Sequence, residues 1–478
     1  MAFSLLLLVL GCPSGDSTKP DDTAPSGDDT GGTTIPGQGD IGSLTVSSSD
    51  SMSTVLTVEF DTTEAATCQV VLGPSAGEYR YATAPDPEPV TSHAFLVPGF
   101  PAGVDYHWRV ECEFESGDQS SPDAEYRARS APGGLPDYDI EDVDLGASAG
   151  GYRIVPWMGE AQGGFLVVNA EGELVWWHET DEGEVALSVH QSPDGLGVYW
   201  NINDAFRETD ISTIEYARWD LGDTRSIRTE WAHHDFALLP DGAGFTYIMA
   251  DIRETQGETV VGDAIWRVEL DGSNPREIWN GWDEIEEPNF RGCRPTFYPF
   301  ACDWTHANNV YYEPGEDAYY VSFHEYNSFV RLDGMESGNT DWFLGSIEPV
   351  DYEPRSANDE FVHQHGVKPW PGEANTYVLF DNGSGNAGDT SRVVRVTHDG
   401  RNSYEVSWEH DFGDRYASIL LGDTDPVGED LSNTLISWGS EGIVTEITES
   451  QETVFRLNFG LGAAAGFVEW LPTMGGPI

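Results

Sequence analysis

An all-β fold, a six-bladed β-propeller preceded by a small β-sandwich, is predicted by three features of the sequence. Short runs rich in β-branched and aromatic residues alternate with turns, and the 478 residues include 53 Gly and 28 Pro. No long stretch carries apolar residues at helical spacing. From Gly150 onward one pattern recurs six times at about 50 to 65 residues, the range of propeller blades.

In each copy a strand ends near a Gly or Asp-Gly turn, and the next often ends in Trp. The copies lie at Phe165–Trp176, Ala217–Gly222 followed by Trp231, Ile265–Gly272, Val330–Gly334, Val394–Gly400 and Val444–Thr448. A propeller suits such repeats because each four-stranded blade buries both faces against its neighbours. A pair of sandwiches would impose no such period. Residues 145–478 are assigned to this domain.

The chain before it divides in three. Residues 1–12 are an apolar run ending in Val9-Leu10-Gly11-Cys12, too short to span a membrane. The run resembles the export signal of bacterial lipoproteins, which implies lipidation of Cys12 and an exported, lipid-anchored protein at the outer membrane or periplasm. Residues 13–40 are rich in Asp, Gly, Ser, Thr and Pro and are expected to be a disordered tether. Residues 41–132 alternate apolar and polar positions, as in Val55–Phe60 and Cys68–Leu72. The segment from Leu96 through Pro98-Gly99 to Tyr106 and Cys112 resembles a fibronectin type III domain. The resemblance implies a spacer or docking module in which Tyr106 makes the sandwich's corner hydrogen bond. His93 and His107 are expected at its surface.

The net charge is −60, and Lys19 and Lys368 are the only lysines. Such a chain repels nucleic acid and anionic lipid, so a membrane is expected as partner only through the lipid anchor. A phosphate-binding loop ending in Lys-Ser/Thr cannot be built, which excludes a nucleotide-type donor site of that kind. Four cysteines remain after Cys12. An even number in an exported chain favours disulfides, and pairing within each domain gives Cys68–Cys112 and Cys293–Cys302.

A second feature is locked to the repeats. Segments that open with histidine run into a Pro-Asp-Gly or Pro-Gly turn: Ser188–Gly195 with His190, His233–Gly242, His306–Gly315 and His363–Gly372. The first strand of each blade lines the central channel, so these histidines are expected to converge there. His234 and His365 lie six residues before their turn proline, and His306 and His363 lie eight before theirs. Even offsets share a strand face. His233 and His190 fall at odd offsets and should point elsewhere unless a bulge intervenes. His178, His398 and His410 are read as structural. Several imidazoles can bind a transition metal, with Asp235 and Asp303 nearby, or can hold a tetrahedral oxyanion that one of them attacks.

Asp303-Trp-Thr-His306-Ala-Asn308, Val321-Ser-Phe-His324, Gln364-His365, Leu379-Phe-Asp381-Asn382-Gly383, Ser391-Arg392 and Trp438–Glu446 follow one another in order. This series resembles the bacterial arylsulfate sulfotransferases over residues 150–470. The resemblance implies sulfuryl transfer from an aryl sulfate ester to a phenolic acceptor, with no nucleotide donor, metal or other cofactor. It places the nucleophile on His365, which would form a sulfohistidine, and supporting roles on His306 and His234. Asn308, His324, His233 and His363 are expected to contact substrate. The family usually carries arginine where this chain has His324, a shorter and titratable donor. That departure supports the alternative of a non-catalytic propeller lipoprotein that binds a ligand or surface polymer. Arg331 falls on a repeat position and is read as structural, and Trp304 and Trp370 as core residues able to stack on an aryl ring.

Overall fold

The repeats fold into six mainly antiparallel sheets, a six-bladed propeller, in a computed structural model. It describes residues 33–478 apart from 161, 204–209, 211, 296–297, 384–389, 412–416, 429 and 461. The signal segment with Cys12, and the tether up to residue 32, lie outside the described residues.

Blades 2 to 5 are each consecutive in sequence. Their innermost strands are Val189–Gln191, Ala232–Leu238, Ala307–Glu313 and His365–Pro369. Blade 6 begins at Asp423–Val427. Blade 1 takes its outer strands from Tyr152–Met158, Gly163–Asn169 and Leu174–Glu179, and its innermost ones from Ala464–Ala465 and Glu469–Leu471. Asp139–Val143 adds an outer edge strand to blade 6. The propeller therefore starts at Asp139, before the expected residue 145, and both ends of the domain close the circle.

The second strands Gly197–Ile202, Ala318–Phe323 and Thr376–Asp381 are buried at every position, as expected for sheets covered on both faces. Val155, Leu166 and Val168 of blade 1 pack on Val427, Val444 and Phe455 of blade 6. Each such side chain contributes roughly 1.5–3 kcal/mol on leaving water. The repeated Asp-Gly turns need their glycines, because Gly272, Gly334 and Gly400 sit at φ 82°, 83° and 68°.

A hydrogen-bonded belt ties the inner strands around the channel. Ser188 Oγ donates to Asp235 Oδ1 at 2.7 Å, and Asn309 Nδ2 to Asp235 Oδ2 at 2.8 Å. Val367 N donates to Asn309 Oδ1 at 2.9 Å, and Thr424 Oγ1 to Gly366 O at 3.0 Å. Val468 N donates to Asp423 Oδ2 at 3.1 Å, and Gln191 N to Glu469 Oε1 at 3.2 Å, which closes the ring through all six blades. Glu446, from the last sequence motif, is a structural hub. It accepts from the buried Arg153 of blade 1, from Ala149 N and from Asn433 Nδ2.

The N-terminal residues form a nine-stranded sheet around the long strand Leu56–Gly73, which changes partners between Asp61 and Ala66. Both expected disulfides are formed, and Cys68 and Cys112 face each other directly in adjacent strands. Thr33–Ile35 pairs with Leu44–Ser48, so the last part of the expected tether is ordered. Its β-branched residues favour an edge strand. His93 is buried rather than at the surface, because Asp86 Oδ2 lies 2.8 Å from its Nδ1 and Phe60 stacks on the ring. His107 is half-buried against Asp123.

Tyr106 does not make the expected corner bond. Its Oη donates to Glu173 Oε2 at 3.2 Å in blade 1. The cause is docking. The turn at Ala170–Glu173 projects onto this domain, where Glu171 accepts from Tyr81 Oη and Arg80. One apolar core runs from Val58 and Trp108 into Phe165 and Trp176. The C-terminal Gly476–Pro477 pairs with Val90–Val97, so the chain's last residues leave the propeller for the N-terminal sheet.

Candidate functional site

The inner strands of blades 3, 4 and 5 break regular pairing where their histidines stand. Register shifts fall between Ala232 and Phe236, between Ala307 and Asn309, and between His365 and Lys368. His234, His306 and His363 take positive φ values of 57°, 49° and 57°. Non-glycine residues rarely do so, and such strain gathers at functional sites. The bulges interrupt the period-two rule, yet the even-offset His234, His306 and His365 line one cavity and the odd-offset His233 and His190 do not; His363 alone departs from its expected face.

His234, His306, His365 and His324 line one cavity at the channel. The His234 and His306 ring centroids are 4.7 Å apart, His306 and His324 5.1 Å, and His324 and His365 5.9 Å. Met158, Val185, Leu187, Ile419, Leu420 and Leu421 form its apolar lining.

Three residues expected to touch substrate stand one layer behind. His363 stacks on His324 at 4.2 Å. Asn308 gives its Nδ2 to Gln364 O at 2.8 Å and so holds the backbone before His365. His233 has both ring nitrogens engaged, as derived below. His190 faces the opposite mouth, with Nδ1 2.6 Å from Glu469. Trp304 packs on Trp282, and Trp370 lies under Arg395; neither lines the cavity. Arg331 pairs with Asp333 and Asp341 at the blade surface.

The tautomer of His365 follows from its neighbour. Asn382 Nδ2 donates to Ser418 O at 2.9 Å and Leu421 O at 2.7 Å, which fixes the amide's orientation. Asn382 Oδ1 can then only accept, so His365 Nδ1 carries the proton it donates across 2.7 Å. Nε2 is left as the basic nitrogen. Asp381 pairs with Arg392 at 2.9 Å, and Ser391 Oγ donates to Asn382 O at 3.0 Å, so these motif residues hold the loop that holds Asn382. Burial, with the His324 charge second, pushes His365 down to about 3 and keeps it neutral.

His234 ends a relay. Asp263 accepts from Thr305 Oγ1, from Ala307 N at 2.6 Å and from His233 Nε2 at 3.0 Å. His233 Nδ1 then faces His234 Nδ1 at 2.8 Å, as acceptor of that ring's proton. His234 is held well below the usual imidazole range by burial and then by His306.

His306 has a different partner. Its Nδ1 lies 2.5 Å from Asp303 Oδ2. Burial, reinforced by the charge of Asp263, pushes Asp303 well above the carboxylate range. Burial holds His306 itself down to about 3. His324 opens the short turn His324–Tyr326, with Nδ1 3.1 Å from Glu325.

Asn382 and Asp263 were not assigned roles from sequence. Asn382 belongs to the motif Leu379–Gly383, and Asp263 is a lone carboxylate in the apolar run Val260–Trp266. A charge in a strand buried on both faces was the available signal.

Fold and site define a propeller protein with an imidazole-lined channel site. The chain belongs to the arylsulfotransferase family, whose model matches residues 152–411, from the first strand of blade 1 to the end of blade 5. The family's general chemistry is aryl sulfotransfer. No curated protein matches this chain. Among solved structures it is similar to the periplasmic gluconolactonase of Pseudomonas aeruginosa (13% identity, 64% of this chain, 82% of that one, TM-score 0.37). It is also similar to streptogramin B lyase (11%, 67%, 86%, 0.32). A third is apo AztD from Citrobacter koseri (10%, 86%, 100%, 0.28). Likenesses this low carry no inference about this chain.

Proposed function

We propose that this protein transfers a sulfuryl group from an aryl sulfate ester to a phenol through a sulfohistidine on His365. The supporting observation is the His365–Asn382 contact, which leaves a neutral, basic Nε2 in a cavity shared with three other imidazoles. A neutral imidazole is nucleophilic and can leave again.

Nε2 attacks sulfur, and the bond from sulfur to the aryl oxygen breaks with its electron pair on that oxygen. His234 gives the phenolate a proton, which entered with the anionic donor. The acceptor phenol then returns a proton to His234 as its oxygen attacks sulfur. The N–S bond breaks and its pair returns to Nε2. His306 and His324 stabilise charge on the sulfuryl oxygens. Asp263 and His233 support the charge His234 carries, and the apolar walls accept the aryl rings. No nucleotide or metal enters this scheme.

Incubation with 4-nitrophenyl sulfate and a phenol acceptor is expected to yield the new aryl sulfate and nitrophenol. His365→Ala is expected to abolish both. Acid-labile mass of one sulfuryl group on the peptide carrying His365, in protein quenched without acceptor, tests the intermediate. Nitrophenol release at equal rates from the wild type and His365→Ala sinks the reading.

We further propose that the chain is exported and held to a membrane by lipid on Cys12. The two disulfides support an oxidising compartment. Labelled palmitate should enter the wild type and not Cys12→Ser.

A further inference from the structure

Asn203 directly follows the second strand of blade 2, Gly197–Ile202, and its backbone bridges Val185, with Asn203 N donating to Val185 O at 3.1 Å. The side chain is 1% exposed and lines the histidine cavity. Among the described residues neither Nδ2 nor Oδ1 has a hydrogen-bond partner. Two residues earlier, Asn201 is bonded at both ends of its amide. Its Oδ1 accepts from Leu187 N at 3.1 Å and Ser188 N at 3.0 Å, and its Nδ2 donates to His234 O at 2.8 Å.

Buried amides are almost always paired, and one with both ends open in a native fold calls for a reason. The reason lies in what the cavity must hold. A sulfuryl group presents several acceptor oxygens, and Asn308, the amide expected to serve them, gives one N–H to Gln364 O and does not line the cavity. Asn203 supplies an amide from blade 2, with its backbone fixed by the bridge to Val185.

We propose that Asn203 is the amide that binds the transferred sulfuryl group, Nδ2 donating to a sulfuryl oxygen while Oδ1 accepts from the phenol hydroxyl. This rests on the sulfotransfer reading for its catalytic part, and its binding part stands without turnover. The donor is preorganised and desolvated, the condition under which one hydrogen bond matters most to a developing charge.

Asn203→Leu tests it, because function and stability should move in opposite directions. Removing an unpaired buried amide should leave the melting temperature equal or higher. Turnover of 4-nitrophenyl sulfate should fall by about 10²- to 10³-fold, the loss seen when an oxyanion donor is removed. A calorimetric titration with benzenesulfonate, which has no transferable group, reads binding alone. Wild type should bind it at least about tenfold more tightly than Asn203→Leu. If Asn203→Leu unfolds, Asn203→Ala with the same two readouts replaces it. Wild-type turnover and wild-type benzenesulfonate affinity in the variant overturn the proposal. Weakened benzenesulfonate binding with no turnover from any form supports Asn203 and overturns the sulfotransfer reading instead.

Discussion

Asn382 Oδ1 lies 2.7 Å from His365 Nδ1, and both hydrogens of its amide nitrogen are committed to backbone carbonyls. The amide therefore cannot turn over, and the ring cannot place its proton on Nε2 without losing this bond. Asn382→Leu should free the tautomer. The expected result is a fall in kcat of about 10²- to 10⁴-fold, by analogy with other orienting residues of catalytic imidazoles, with a small change in KM. Steady-state kinetics with 4-nitrophenyl sulfate checks it. A change confined to KM rejects the positioning role.

The relay behind His234 predicts a leaving-group effect. Proton donation matters little to nitrophenolate and much to unsubstituted phenolate. In His233→Gln, with the 2.8 Å contact to His234 altered, the rate loss for phenyl sulfate should exceed that for 4-nitrophenyl sulfate by about tenfold or more. Asp303→Asn acts on His306, which stabilises charge on the sulfuryl oxygens, and should slow both donors alike. Equal losses for both donors in His233→Gln contradict the relay.

The period of the blades was legible in the sequence because each repeat carries its own turn glycine and its own buried strand. The convergence of His234, His306 and His365 was legible too, since first strands line the channel whatever their detailed pairing. Which neighbours back them was not. That depended on bulges at Phe236, Asn309 and Lys368, where two-residue periodicity fails. Asn308 shows the limit. Its motif spacing placed it beside His306, and only the fold brings Gln364 O within reach of its donor. The docking of Tyr106 on Glu173 likewise joins residues that no local pattern relates.

The buried imidazoles predict acid lability. His178 is pushed down to about 4, and His306 and His365 to about 3, each chiefly by burial. These rings stay neutral in the fold at pH values where the unfolded chain binds protons. Each thus contributes stability above about pH 6.5 that is lost as the pH falls, at roughly 1.4 kcal/mol per pH unit. Asp303, and Asp423 raised to about 7, act in the opposite sense and offset part of the slope. His190, raised to about 10 beside Glu469, keeps its stabilising charge throughout this range. A difference measurement isolates one ring. Urea unfolding of His365→Gln between pH 4 and 6 should show a slope against pH shallower by about 1.4 kcal/mol per unit. Parallel slopes reject the neutral state of His365.

The docked N-terminal sheet should unfold with the propeller rather than by itself. It shares one apolar core with blade 1, receives the C-terminal strand Gly476–Pro477, and meets Glu171 and Glu173 through Tyr81, Arg80 and Tyr106. Calorimetry of the wild type should give a single transition. Glu171→Ala leaves Tyr81 Oη and Arg80 without their carboxylate, at a cost of about 1–3 kcal/mol for the buried hydroxyl. Deleting residues 476–478 removes the strand from Val90–Val97 as well. Combined, the two changes should split the transition, with the N-terminal sheet melting several degrees below the propeller. Sulfuryl transfer should persist in the doubly altered protein, because none of these residues lines the histidine cavity. A single, unshifted transition would show that the domains are held together by the apolar core alone.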